Sequence, residues 1–280
     1  MKRLFVSDLD GTLLNSDARL SDTTVEILNR EIENGIYFTI STARTPATAL
    51  QIVKQLKLKL PIMMMNGVLV YDMQSGQYIK QETLSELQVM VLLGLIKTKG
   101  LSCFLYALEQ NEFFAYYDSV ESTSLNYFRN ERIMKYDKKF TEVDDLSLVA
   151  GKGIIYCVLR EPKELLEALY REISVVKGVK ADFYADIYSD NYYMLEIYSE
   201  QASKKESLQF LREKGGFDSV VSFGDNLNDK ALLEASDYFY AVSNAHPQLQ
   251  NLAASIIPSN DEDGVARFIE QMQKQITEME

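Results

Sequence analysis

Asp8 and Asp10 stand one residue apart in the stretch FVSDLDGTLL, at the end of a short apolar run. Two carboxylates placed there repel each other unless something positive lies between them. A second acidic group, Asp225-Asn226-Leu227-Asn228-Asp229, follows another apolar run at 219–223. Hard oxygen donors of this kind suit Mg²⁺. An ion held by Asp8, Asp10 and Asp225 would offset the repulsion and also grip phosphate oxygens, so the chemistry within reach is phosphoryl transfer. Gly11 lets the chain turn sharply so that both carboxylates face one pocket. His246 is the single histidine, which makes a Ser-His-Asp triad or a multi-His zinc site hard to build. Proton transfer therefore falls to carboxylates, lysine or tyrosine.

These residues need elements to hold them. The first 80 residues alternate strand and helix. "RLFVSD" reads as a strand buried on both faces. Val25, Leu28 and Ile32 recur at helical spacing over 22–34, with Ser21 as cap and Gly35 as stop. "IYFTIS" is a second strand, and Pro46 opens a helix over 46–57. "PIMMMNGVLVYD" reads as a strand, a tight Asn66-Gly67 turn and a strand. Crossovers of this length imply parallel pairing and an α/β sheet. From 84 to 194 the pattern changes. Helices at 85–98, 120–130 and 162–175 alternate with the paired runs "LSCFLYAL" and "EFFAYYD", then "GIIYCVL", "ADFYADIY" and "YYMLEIY". This predicts an α+β unit with an antiparallel sheet. After 200 the first pattern returns, with helices at 203–214, 228–235 and 263–277 and strands "SVVSFGD" and "YFYAVS". The expected fold class is α/β, a doubly wound, Rossmann-like parallel-sheet core over 1–83 and 195–280, interrupted by an α+β insert over 84–194.

In open α/β sheets, ligands bind beyond the carboxyl ends of the strands. The first predicted strand ends in Asp8-Leu9-Asp10, the second in Ser41-Thr42-Ala43-Arg44, and the strand after the insert in Gly224-Asp225. Segments far apart in sequence thus bring carboxylates, a hydroxyl and an amide to one sheet edge. A lone Asp-x-Asp-Gly-Thr could be a turn; its placement at this edge is what points to a site.

At these residues the sequence resembles the haloacid dehalogenase superfamily of phosphatases, in particular its Cof-type branch. DLDGTLL (8–14), ISTART (40–45), ASKKESL (202–208) and FGDNLNDKALLEAS (223–236) look like its four motifs, in order. Asn66-Gly67, Asn244-Ala245 and Asp263-Gly264-Val265 are secondary matches. The resemblance spans residues 4 to about 270. It implies that the insert is a cap domain which excludes water and admits a small substrate. It also implies that Asp8 is the nucleophile and Asp10 the acid and base. Mg²⁺ would be held by the Asp8 side chain, the Asp10 carbonyl and Asp225, with Asp229 orienting metal-bound water. The Thr42 hydroxyl, the backbone N–H groups of Leu9 and Ala43, Lys204 and the Asn228 amide would bind phosphoryl oxygens. Ala43 replaces the glycine usual in the second motif, which requires a negative φ there. Of the adjacent lysines, Lys204 aligns with the motif and Lys205 is expected on the solvated face. Arg44 either reaches substrate or pairs with a carboxylate. Asn66, Gly67 and two tyrosines of the insert, Tyr184 and Tyr188, are candidates for the substrate cleft, with turn geometry and sheet packing the alternatives. His246, before Pro247, is expected to start a surface helix. The Asp8–Asp10 repulsion is what the sequence offers for tuning Asp10 as proton carrier.

The expected function is a Mg²⁺-dependent phosphatase of small phosphate monoesters such as sugar phosphates. A phosphosugar mutase would share the motifs and differ in returning the phosphoryl group to a hydroxyl. A non-catalytic phosphosugar-binding protein would not need Asp8, Asp10, Asp225 and Lys204 together. A signalling receiver domain would carry its aspartate on a middle strand of a much shorter chain. A net charge of −12 over 280 residues argues against nucleic acid as partner, and the expected partner is a small phosphorylated metabolite. The apolar stretch at 89–96 is too short to span a membrane, and no signal-peptide core follows Lys2 and Arg3. Cys103 and Cys157 lie in apolar runs without a CxxC pattern, as reduced core thiols do, so a cytoplasmic location is expected. The acidic stretch PSNDEDG (258–264) is expected to be a solvated loop.

Overall fold

The structure, a computed structural model, describes the backbone of residues 1–119, 122–136, 138–186 and 191–279. In chain order the elements begin with β1 (Arg3–Ser7), α1 (Asp22–Glu33), β2 (Tyr37–Ile40), α2 (Pro46–Val53), β3 (Ile62–Met64), β4 (Leu69–Asp72) and β5 (Gln77–Gln81). Then come α3 (Glu86–Thr98), β6 (Phe104–Glu109), β7 (Glu112–Tyr117), α4 (Thr123–Tyr136), β8 (Phe140–Glu142), β9 (Ile154–Glu161), α5 (Lys163–Ile173), β10 (Val179–Ala185) and β11 (Tyr193–Ser199). The chain closes with α6 (Lys204–Gly215), β12 (Ser219–Gly224), α7 (Lys230–Ala235), β13 (Tyr238–Val242), α8 (Pro247–Gln250), β14 (Ser255–Ile257) and α9 (Gly264–Met279).

These elements form two compact units, one of Met1–Lys80 with Ser203–Glu280 and one of Gln81–Ala202. The first holds a five-stranded sheet in the order β14-β13-β12-β1-β2, with every neighbouring pair parallel. Parallel sheets are covered on both faces, which is why their central strands read as continuous apolar runs. Leu4, Phe5 and Val6 of β1 are buried, as is all of β12. The chain leaves β1 toward β2 on one side and later returns to β12 on the other. The strand order therefore reverses beside β1, and the carboxyl end of β1 lies at the crevice that such a reversal opens. β3 joins β2 through one parallel bridge, Ser41 to Met63, and turns back into β4 as an antiparallel pair.

The second unit is a six-stranded sheet, β10-β11-β9-β6-β7-β8, antiparallel throughout except for the parallel β7–β8 pair. β6 and β7 are joined by Gln110 and Asn111, both at positive φ, the two-residue turn that matches strand twist. One sheet face packs against α3 and α5. Val89, Leu92, Leu93 and Ile96 of α3, with Leu166, Leu169 and Ile173 of α5, bury against Leu105, Cys157, Leu159, Leu195 and Ile197. Burying a side chain such as Leu169 contributes roughly 1.5–3 kcal/mol. Cys103 and Cys157 are free thiols in this core. Ser85 caps α3 with a reciprocal Gln88 contact.

Three short strands have no counterpart in the sequence reading: β5, β8 and β14. Each is an edge strand and carries too few apolar positions for a period to show. The insert expected over 84–194 compares with a unit of Gln81–Ala202. The later end arises because β11 pairs with β9 and β10, which keeps it in the second sheet as far as Ser199. The helix expected over 46–57 ends at Val53. Among the described residues no helix is long and apolar enough to cross a membrane.

Candidate active site

Three strand ends of the first unit supply the site. Asp8 directly follows β1, and its N–H donates to the Phe223 carbonyl at 3.0 Å, extending the β1–β12 ladder by one residue. Asp8 is buried at 5% exposure. The chain then turns at Gly11, which has φ +73°, and a Cβ there would lie 2.5 Å from Asp225 Oδ2. Glycine is therefore required both for the backbone angle and for the close approach of the two loops. Thr12, one residue on, donates its hydroxyl to Asp225 Oδ1 at 2.9 Å. The second strand end delivers Thr42, buried, whose hydroxyl accepts the Arg44 N–H at 3.1 Å. Ala43 has a negative φ and is exposed.

Lys204 opens α6, behind the Ser203 cap that accepts the Glu206 N–H. At 2% exposure its ammonium donates to Asp8 Oδ1 at 2.5 Å and to Asp229 Oδ1 at 2.7 Å. Its neighbour Lys205 points away and pairs with Glu234 at the surface. Asp229 is fully buried. Its second oxygen accepts the N–H groups of Asp225 and Asn226 at 3.0 and 3.1 Å, so both oxygens are engaged by the chain itself. Gly224 makes room for it, since a Cβ on Gly224 would lie 2.6 Å from the Asp229 Cβ.

The charges in this cluster act on one another. Burial, and next the Asp229 charge, hold Asp8 well above the ordinary carboxylate range, with Lys204 pulling the other way. Burial and then Asp229 push Asp225 up to about 6, against the Thr12 hydrogen bond and Lys204. For Lys204 burial disfavours the ammonium, but Asp229 and Asp8 outweigh it and hold the group above the ordinary lysine range. Carboxylate oxygens of Asp8, Asp225 and Asp229 lie within 4.8 Å of one another. All are hard oxygen donors of the kind a small divalent cation takes. The Asp8 and Asp225 oxygens left over by Lys204 and Thr12 are the ones open to it.

Asp10 departs from the expectation. The sequence places the repulsion between Asp8 and Asp10, whereas the structure places it among Asp8, Asp225 and Asp229. The turn at Gly11 sends the Asp8 side chain inward and leaves that of Asp10 half exposed, at 50%. Arg44 grips the Asp10 carboxylate as a fork, Nε to Oδ2 at 2.8 Å and an NH group to Oδ1 at 2.6 Å. Of the two readings open for Arg44, pairing with a carboxylate is what the structure shows.

The remaining candidates are more scattered. Leu9 is buried, and its carbonyl accepts the N–H groups of Leu13 and Leu14. Asn228 is exposed, one residue before Asp229. Asn66 has φ 54° and donates its N–H to the Thr42 carbonyl at 3.1 Å, while its side-chain oxygen is buried without a partner. A Cβ on Gly67 would lie 2.1 Å from the Ser203 carbonyl, so this turn packs at the start of α6 beside Lys204. Tyr184 lies in the second unit, on β10, partly exposed and hydrogen-bonded to Glu196. In that unit burial pushes Glu196 up to about 7, and pulls Lys138, 3.5 Å from the Tyr106 ring centroid, down to about 7. Tyr188 lies outside the described residues. His246 caps α8 through its own ring.

Comparison with known proteins bears on this arrangement. A 5-amino-6-(5-phospho-D-ribitylamino)uracil phosphatase of Bacillus subtilis, YitU, is 24% identical over 278 residues, covering 96% of each chain. A second Bacillus subtilis protein, the phosphatase YwpJ, is 25% identical over 296 residues and is covered to 99%. Among solved structures, a haloacid dehalogenase-like hydrolase from Bacteroides thetaiotaomicron superposes with a TM-score of 0.79 at 24% identity, covering 97% of this chain and all of that one. A Thermotoga maritima protein superposes with a TM-score of 0.75, also at 24% identity, over 97% of each chain. These structural likenesses carry the fold. Residues 5–269 match the family of haloacid dehalogenase-like hydrolases, and with that match the chain belongs to this family.

Proposed function

We propose that this hydrolase is a Mg²⁺-dependent phosphatase of small phosphate monoesters that works through an aspartyl phosphate on Asp8. The observation that carries the reading is the buried cluster itself: Lys204 bridges Asp8 and Asp229 while Asp225 stands beside them. A carboxylate at the end of β1, held between a cation and a vacant-oxygen neighbour, is suited to attack phosphorus. The phosphatase names of relatives that match over nearly the whole chain support the same reaction class. One of those names describes a phosphorylated ribityl compound, which agrees with a small phosphometabolite as substrate class. In this reading the insert, Gln81–Ala202, is the cap domain.

In this reading each group takes a role. An Asp8 oxygen attacks phosphorus as the ester oxygen leaves, and Asp10 donates the proton that the leaving alcohol takes. Asp10 then removes a proton from water, which attacks phosphorus of the aspartyl phosphate; inorganic phosphate leaves and Asp8 is restored. Lys204 and the Thr42 hydroxyl neutralise charge on the transferring oxygens. Arg44 orients the Asp10 carboxylate. Asp229 holds Lys204 and the Asp225 backbone in place. Asp8 and Asp225 would hold the Mg²⁺, which supplies charge neutralisation of the phosphoryl oxygens when bound.

The test is turnover of a panel of phosphate monoesters with and without Mg²⁺, alongside thermal unfolding. Phosphate release that requires the metal is expected, and no metal-dependent release from any ester would reject the reading. The pH dependence has a definite sign. Asp8 and Asp225 are raised in the folded protein above the roughly 3.9 of an unfolded aspartate, so without metal they add stability as pH falls from about 6 toward 4 for Asp225 and lose it as pH rises. Mg²⁺ competes with those protons. Its stabilisation is therefore expected to be larger at pH 7.5 than at pH 5, and an equal shift at both would contradict the assignment of the metal to these carboxylates.

A further inference from the structure

One secondary sequence match, Asn244-Ala245, and the acidic loop 258–264 find a place in the geometry that their local pattern does not announce. The Asn244 side chain donates its amide to the Gly11 carbonyl at 2.7 Å. Its oxygen accepts the Asn260 N–H at 3.1 Å, and the Asn260 side chain, buried, donates in turn to the Leu14 carbonyl at 2.8 Å. Two asparagines thus hold the loop that carries Asp8 and Asp10 at two of its carbonyls. In the same turn the His246 N–H donates to the Asp225 carbonyl at 2.7 Å. The turn after β13 therefore grips the Asp10–Gly11 loop and the Asp225 loop at once.

Gly11 is the pivot of this loop. It sits at φ +73° and carries no side chain to restrain the peptide between it and Thr12, and glycine has the most backbone freedom to lose. Asp10 hangs on one side of that pivot and Thr12, hydrogen-bonded to Asp225, on the other. A hydrogen bond to the Gly11 carbonyl fixes the orientation of that peptide plane. We propose that Asn244, supported by Asn260, is a positioning residue that fixes the Gly11 peptide and so aims the Asp10 carboxylate relative to Asp8 and Asp225. The inference rests on the phosphatase reading above, in which Asp10 carries the proton.

The rest of the 258–264 loop supplies the control. Asp261 accepts the N–H of Ser16 at 2.7 Å and its hydroxyl at 2.6 Å, and Asp263 accepts the Thr24 hydroxyl at 3.0 Å and that of Ser21. These contacts fasten the same loop to the segment before α1 and to the first turn of α1 but do not touch the Gly11 pivot.

The experiment measures kcat and KM on the best ester for Asn244→Ala, Asn244→Asp and Asp261→Ala, with thermal unfolding of each. Misplacement of a reacting group by a fraction of an ångström to about 1 Å costs up to about 100-fold. Asn244→Ala is accordingly expected to lower kcat by about 10- to 100-fold with KM within about twofold. Asn244→Asp keeps the oxygen that accepts the Asn260 N–H but cannot donate to Gly11, so it is expected to be as impaired as Ala. A purely structural tether would be rescued by Asp. Asp261→Ala is expected to lower the unfolding temperature with kcat unchanged. Wild-type kcat in a folded Asn244 variant, rescue by Asp, or an equal loss in Asp261→Ala would overturn the proposal. Loss of the fold in both Asn244 variants would assign the side chain to stability and overturn it too. Failure of the underlying reading is separate and shows with Asn244 intact, as ester turnover that survives Asp8→Asn.

Discussion

Replacing Asp8 with Asn is expected to abolish ester turnover, by about 10⁴-fold or more, while leaving the metal-free protein at least as stable as the wild type. The two halves of this result have one cause. Asn keeps the shape of Asp8 and can still accept from Lys204, but it offers no anionic oxygen to attack phosphorus. Burial and Asp229 hold the Asp8 carboxyl well above its ordinary range. Ionising it at neutral pH therefore costs the folded state stability, and the cost disappears as pH falls below its raised value. Asn imitates the uncharged form at every pH. The variant is thus expected to show a flatter dependence of unfolding temperature on pH between about 4 and 7, and a smaller gain from Mg²⁺. A catalytic carboxylate held at the expense of stability is a common form of the trade-off between activity and folding. An Asp8→Asn variant less stable than the wild type in metal-free buffer at pH 7 would show that its charge is needed by the fold.

Lys204→Met is expected to have the second largest effect, and here activity and stability fall together. Lys204 is buried between Asp8 and Asp229. Removing one partner of a buried ion pair leaves the other charge uncompensated, at a cost of about 3–5 kcal/mol. Two carboxylates are left in this case, so the loss is expected at the upper end of that range at pH 7.5. It is expected to shrink toward pH 5, because Asp8 then takes up a proton and its charge no longer has to be buried. In the proposed mechanism catalysis also loses a cation on the transferring oxygens, which is worth about 10²–10³-fold in kcat. Mg²⁺ is expected to recover part of the stability by neutralising Asp8, and little of the rate. Unfolding curves at two pH values and kcat in saturating metal check both parts. Lys205→Met serves as comparison, since Lys205 makes only a surface pair with Glu234 and such pairs contribute about 0–1 kcal/mol.

Much of this site was legible in the sequence for a topological reason. A parallel strand buried on both faces is an unbroken apolar run, so the residue that ends it is easy to mark, and the crevice lies at those ends. Asp8, Thr42 and Asp225 could each be placed at a strand end in that way, and the structure brings their loops together. Lys204 could be separated from Lys205 only by motif alignment, because position along a helix does not say which neighbour turns inward. That Arg44 pairs with a carboxylate was one of two readings, but that its partner is Asp10 was not legible. It depends on how the turn at Gly11 aims one side chain outward, which no spacing encodes. The 258–264 loop was legible only in part: Pro258, Asp261 and Glu262 are exposed, as its composition reads, but its tethers do not show. Its composition reads as solvated, yet Asn260, Asp261 and Asp263 are spent on Leu14, Ser16, Ser21 and Thr24. Polar residues that satisfy a distant backbone look the same in sequence as polar residues that face water. The short edge strands β5, β8 and β14 escaped because their pairing, not their pattern, makes them strands.

The central claim is that the phosphoryl group passes through Asp8. Its most direct test is to quench the enzyme during turnover of its best ester with Mg²⁺, reduce any acyl phosphate with borohydride, and map the product by peptide mass spectrometry. Reduction converts an aspartyl phosphate to homoserine. The expected result is homoserine in place of Asp8 in the peptide containing DLDGTLL, only when ester and Mg²⁺ are both present. Steady phosphate release with Asp8 unmodified, or reduction at Asp10 or Asp225 instead, would contradict it.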